Sequence, residues 1–156
     1  MIHINGSAAK LDNIIADTSS LKVSADLVSD HIHGKQKVIP TQAAAITLLG
    51  TSTAWELGAK VNIGTSVITE PFDFHYLNVE SMGADNTFEI VIYEGATNSA
   101  TEICRTRVTR TAAQLKSDSI PIMTPVLTSA KPTCGAVCQS SSSATSVSIT
   151  LAYHTY

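Results

Sequence analysis

Residues 72–92 read FDFHYLNVESMGADNTFEIVI, and this stretch decides the fold. Phe72, Phe74 and Tyr76 alternate with polar residues, and Phe88, Ile90 and Ile92 do so again beyond the turn signal at 83–86. Successive side chains of a strand point to opposite faces, so a period of two marks a half-buried strand, where a helix would repeat near 3.6. Upstream, Trp55, Leu57, Ala59, Val61 and Ile63 keep the same alternation. Further strands are predicted over residues 43–49, 103–108, 120–127, 133–139 and 146–153. The breakers between them are 64–66, Glu70-Pro71, 95–99, 117–119, Lys131-Pro132 and the serine run 140–143. About eight short strands without helices between them predict a mainly β protein, an antiparallel β-sandwich of jelly-roll type. The aromatic residues in these strands are expected in its core.

The N-terminal segment follows another rhythm. Leu11, Ile14, Thr18, Leu21, Ala25, Val28 and Ile32 repeat at alternating steps of three and four, an average near 3.5 that predicts a helix over 8–32. Such a seam is narrower than the face a globular helix buries on its own core, and it suits a helix that packs against copies of itself. These seven residues are therefore the candidate oligomer interface. Asn5-Gly6-Ser7 is a turn and cap signal, Asp12 favours the positive helix end, and His31, His33 and Gly34 form a stop. Thr18, Ser19 and Ser20 are poor helix formers, so packing has to hold this helix. Two domains are expected: a helical arm over 1–34 for oligomerisation or anchoring, and the β-sandwich over 35–156.

Composition narrows the function. Charged residues make up 15% of the 156, against a usual ~25%, and threonine and serine dominate the polar set. Such a surface stays soluble through hydroxyl groups, which is common where much of it ends inside contacts. The net charge of -3 and a pI near 5.9 argue against a nucleic-acid partner, because Lys35 and Lys37 make no basic patch. No apolar run approaches the ~18 residues that cross a bilayer, so no membrane partner is expected. The N-terminus shows no basic region followed by a hydrophobic stretch, hence no secretory signal is read there. Three cysteines, an odd number, fit synthesis in a reducing cytoplasm.

No residue set makes a case for catalysis, a metal or a cofactor, and none of the three is expected. Cys134 and Cys138 would share one face of a strand ~13 Å apart, too far for a disulfide and without a second ligand pair for zinc. They read as buried free thiols, as does Cys104. His31 and His33 lie two apart on a helix rather than three or four, so they do not share a face. His75 and His154 neighbour tyrosines in strands and read as core or interface histidines. A glycosidase needs a facing pair of carboxylates, but nothing selects two among Asp73, Glu80, Asp85, Glu89 and Glu94; Glu89 should face solvent. The serine run 140–143 lacks the Gly-x-Ser-x-Gly elbow of a nucleophilic serine.

Residues 53–156 carry a further pattern. Its parts are Thr53-Ala54-Trp55-Glu56-Leu57-Gly58, the run from Pro71 to Glu80, Phe88 to Gly95, Glu102-Ile103 with Arg107, Pro121-Ile122-Met123-Thr124-Pro125, and Val147 to Tyr156. In these the chain resembles the capsid decoration, cement or head-fibre proteins of tailed bacteriophages, which join an N-terminal helix to a C-terminal β-sandwich and assemble as trimers. Cys134 and Cys138 depart from the pattern, which has alanine or serine there. The resemblance implies a non-enzymatic virion protein on the capsid surface, made in the host cytoplasm, a homotrimer whose partner is the major capsid protein. The alternatives are a tail, baseplate or head-fibre component, or a carbohydrate-binding module for host attachment. A carbohydrate-binding module would need exposed Trp or Tyr platforms.

Overall fold

The structure, a computed structural model, describes residues 10, 13–22, 24–25, 36–40, 42–63, 68–95, 97–110, 118–128 and 133–156. The chain divides into two compact units, residues 1–35 with Tyr156, and residues 36–155. In the first, residues 13–22 are helical and exposed. The weak helix formers there satisfy their hydroxyls locally: Thr18 Oγ1 donates to the Ile14 carbonyl, Ser19 Oγ to Ile15 and Ser24 Oγ to Ser20, at 2.6, 2.9 and 3.0 Å. These bonds compete with the backbone ladder rather than reinforce it.

The second unit is a sandwich of two antiparallel sheets. Its strands are β1 (Lys37–Ile39), β2 (Ile46–Leu49), β3 (Val61–Asn62), β4 (Phe72–Met82), β5 (Asn86–Glu94), β6 (Thr101–Arg110), β7 (Asp118–Pro121), β8 (Thr133–Gln139) and β9 (Ser146–Thr155). One sheet runs β1-β9-β4-β7, with β2 pairing the other half of β9; the second runs β3-β8-β5-β6. β1 and β2 form one interrupted edge, opposite Leu151–Tyr153 and Ser146–Ile149 respectively. Pro40, which has no N–H to donate, stands at the interruption. Counting that edge as one strand leaves eight, and from β2 to β9 the chain crosses between sheets at every step except β5 to β6. That is the strand order of a jelly roll, as expected from the sequence.

The core lies between the sheets. Phe72, Phe74, Leu77, Val79, Val147, Ile149 and Leu151 from one sheet meet Phe88, Ile90, Ile92 and Val137 from the other. Phe72 stacks edge-on against Phe74 and Tyr153, with ring centroids 5.3 and 5.9 Å apart. β8 is buried along its whole length, and its small residues Cys134, Gly135 and Ala136 suit a strand covered on both faces. Gln139 is its one long polar residue. Its Nε2 donates to the carbonyls of Thr51, Ser141 and Ser143 and to Ser141 Oγ, while Oε1 accepts from Thr145 N and Oγ1. Gly50 is required beside it, because a Cβ there would stand 2.1 Å from Gln139 Oε1.

Several expectations need correction. Residues 42–44 form a 3-10 turn, and the strand begins at Ile46. The alternation from Trp55 to Ile63 yields only the two-residue β3. Trp55 has a left-handed backbone (φ 62), and a Cβ on Gly58 would lie 2.2 Å from the Leu49 carbonyl, so this backbone cannot run as a regular strand. It follows β8 irregularly instead: Trp55 N donates to the Gln139 carbonyl and Gly58 N to that of Val137. Residues 120–127 are strand only to Pro121, with one isolated bridge at Leu127, because Pro121 and Pro125 cannot donate to a ladder. Asp118 and Ser119, read as a break, belong to β7, and β1 precedes the first strand expected at 43–49. Trp55 and Tyr76, expected in the core, are 47% and 40% exposed. The break at 64–66, Lys131-Pro132, and Leu11, Val28, Ile32, His31 and His33 lie outside the described residues.

Candidate functional site

Of the seven seam residues, Ile14, Thr18, Leu21 and Ala25 are described, and all four are exposed. Ile14 and Leu21 are 59% and 70% open to solvent in the single chain. Ile15, off the seam, is 56% exposed.

The outer face of the β3-β8-β5-β6 sheet is charged. Register sets Cys138, Glu89 and Arg107 in one row, and Ala136, Val91 and Arg105 in the next. Arg105 Nη1 and Arg107 Nη2 donate to the two oxygens of Glu89 at 2.5 and 2.8 Å, and Arg105 also grips Glu102 through Nε and Nη2 at 2.9 and 2.7 Å. Glu89, expected to face solvent, does lie on the outer face, but its side chain is only 16% exposed beneath these guanidinium groups. Arg107, then Arg105, hold its carboxyl below the usual carboxylate range, and Arg105 does the same for Glu102. A glycosidase acid needs the opposite shift, so this pair is built to stay ionised. The Arg107 guanidinium also lies 4.7 Å over the Trp55 ring, and Lys60 Nζ 4.4 Å over Tyr93. The cysteines are free; Cys134 and Cys138 are buried on this face as expected, whereas Cys104 is only partly buried. Burial, the leading cause at each, raises all three thiol pKa values, which makes them poor nucleophiles.

The outer face of the other sheet is built from hydroxyls and amides. Thr47 and Ser148 share a hydrogen bond of 3.1 Å, Asn78 Nδ2 donates to Thr150 Oγ1 at 3.1 Å, Ser119 Oγ to Asn78 Oδ1 at 2.6 Å, and Thr150 Oγ1 to Glu80 at 2.8 Å. Glu80 is thus a strand residue paired across the sheet.

At the end of this face β4 carries a bulge. Its register with β9 skips from Phe74 to Tyr76, leaving His75 as the extra residue. Asp73 stands opposite His154 on β9, and His75 Nε2 lies 2.9 Å from Asp73 Oδ1. The two imidazole rings lie against each other tilted by 54°, with centroids 4.3 Å apart. Sequence reasoning treated these residues singly. The spacing of Asp73 and His75 could have placed them on one strand face, but His154 joins them only through the β4–β9 register.

Apolar exposure on the sandwich gathers after β7, where Met123 is 92% exposed, with Val126 and the neighbouring Tyr76 also open. Among the described residues no helix is long and apolar enough to cross a membrane.

No family model matches the chain, and no curated protein matches it. Among solved structures, it is similar to a chain in the structure of infectious bursal disease virus, Gt strain, with a TM-score of 0.44 and 12% identity over 78% of this chain. A chain in the structure of the Gx strain gives 0.43 and 14% over 76%. This chain spans 33% of the length of each.

Proposed function

We propose that this protein is a non-enzymatic virion structural protein: a trimeric decoration protein that clamps neighbouring subunits of a phage capsid. The observation that carries the reading is the jelly-roll strand order of a domain whose residues 53–156 resemble head decoration proteins. The exposure of Ile14 and Leu21 leaves the seam free to pack against its own copies, as a trimer requires. The mechanism needs no chemistry. Each protomer buries a modest surface on the lattice, and linking three raises the effective concentration of the second and third contacts.

The test is to add purified protein to undecorated expanded capsids and to free capsid subunits, with and without residues 1–34. The full chain should bind capsids and not free subunits, and the deletion should weaken binding. Equal binding to free subunits would remove the clamp mechanism. Presence on tails and absence from capsids would transfer the protein to a tail or baseplate.

The carbohydrate-binding alternative draws on the exposure of Trp55, the aromatic platform such a module needs. Arg107 already lies over that ring. Host-surface glycans bound by wild type and lost in Trp55→Ala would favour that alternative.

A further inference from the structure

We infer that Asp73, His75 and His154 form a binding site for a divalent transition-metal ion. One carboxylate oxygen and one ring nitrogen of each histidine lie within 4.8 Å of one another. Ligands of a tetrahedral zinc ion, each ~2.0–2.1 Å from the metal, stand roughly 3.3 Å apart. The Asp73–His75 separation of 2.9 Å is close to that, and a ring nitrogen of His154 lies within 4.8 Å of both ligand atoms. Two imidazoles with one carboxylate suit first-row ions such as Zn²⁺ or Co²⁺, whereas Mg²⁺ and Ca²⁺ prefer all-oxygen sets. The fourth position is left for water.

The backbone arranges this set. On a regular strand His75 would alternate in step with Asp73 but stand about 7 Å along from it. The bulge turns the extra residue back towards its neighbour, a re-aiming that bulges commonly provide beside functional sites. The bulge is itself pinned: Ile122 N donates to the His75 carbonyl and Phe74 N to Thr124 Oγ1, both at 2.9 Å. The residues after β7 therefore fix the strand that carries two of the three ligands. Asp73 and His75 are mostly covered, with side chains 13% and 28% exposed, and Nδ1 of His154 is buried. A metal here would tie the last strand of the sandwich to β4.

The test uses the full-length protein and Zn²⁺ in competition with a chromophoric chelator, followed by Co²⁺ absorption and proton NMR. One equivalent should bind. His75→Gln and His154→Gln should each weaken binding by about 100-fold and Asp73→Asn by about 10-fold, at or above the range for lost supporting groups. Two control variants should retain wild-type affinity: Cys104, Cys134 and Cys138 all changed to alanine, and His3, His31 and His33 all changed to glutamine. Should a site variant misfold, the wild type still decides, because Co²⁺ should shift the ring protons of His75 and His154 and give no thiolate charge-transfer band. The inference is overturned by failure to bind at micromolar Zn²⁺, by unchanged affinity in the folded site variants, or by loss of binding in either control.

Discussion

Leu21→Asp separates an assembling seam from a merely amphipathic helix. Leu21 is 70% exposed in the single chain, so in an isolated protomer the substitution removes little buried apolar surface. The remaining cost there is helix propensity, about 0.5 kcal/mol. In a trimer the arithmetic changes. Covering Leu21 at a shared axis contributes about 2 kcal/mol per chain, and placing a carboxylate there costs several more. With several taken as about 3, the total over three protomers is roughly 15 kcal/mol against assembly, about eleven orders of magnitude in the association constant at 1.4 kcal/mol per tenfold. Ile15→Asp is the control, since Ile15 is 56% exposed on the same helix and off the seam. Light scattering and sedimentation over a concentration series should give a trimer for wild type and Ile15→Asp, and a monomer for Leu21→Asp. A monomeric wild type, a trimeric Leu21→Asp, or equal effects of the two substitutions would each refute the seam.

Glu89→Gln should cost about 1–2 kcal/mol at pH 7 in urea unfolding, two charge-assisted bonds reduced by the exposure of both arginines. The folded pKa of Glu89 is depressed from its ordinary 4.5, so its contribution is present above that value and fades as pH falls through the folded pKa; the wild type should lose stability more steeply in acid than the variant. Gln139→Leu should cost about 3 kcal/mol, because it leaves the Thr145 amide and the loop carbonyls without their buried partner. Thiol titration of native protein should find Cys134 and Cys138 unreactive and Cys104 slow, with all three reacting once denatured; a fast native thiol at Cys134 or Cys138 would contradict the burial described. On assembled capsids, Ser148→Glu should weaken binding and Thr87→Glu, on the opposite sheet, should not.

What could be read in the sequence was whatever a strand's own alternation encodes. Phe72, Phe74, Phe88, Ile90 and Ile92 all point inward, and the breakers at 131–132 and 140–143 bound the strand Thr133–Gln139. The same rule misled at Trp55. Residues 55–63 alternate, but alternation cannot report a left-handed φ or a glycine pressed against another segment's carbonyl, and both break the strand. It also hid Gln139, whose partners come from positions 51 to 145. The histidine site was invisible for a related reason. A bulge is one residue of slippage between two strands, and Asp73 meets His154 across 81 positions of chain only through that pairing.

The two outer faces of the sandwich differ in what it costs to cover them, and this bears on how such a protein could act as a clamp. Glu89, Glu102, Arg105 and Arg107 on the β5–β6 side hold one another ionised, and stripping water from paired charges is repaid only by excellent geometry in the partner. On the β4–β9 side, Thr47, Ser148, Asn78, Thr150 and Ser119 already spend their hydrogen bonds on one another. Val38, Leu49 and Tyr76 stand exposed in the same sheet. A satisfied hydroxyl ladder with apolar neighbours loses little on desolvation, whereas a charged face must find matching charges. The low charge of the chain is therefore unevenly spread: the surface that can be buried most cheaply is the hydroxyl face of the β1-β9-β4-β7 sheet. A capsid contact made there would gain from Val38 and Leu49 without breaking the arginine network. Ser148→Glu and Thr87→Glu differ in that respect, since only the first puts an added charge on the face that the proposed lattice contact would bury.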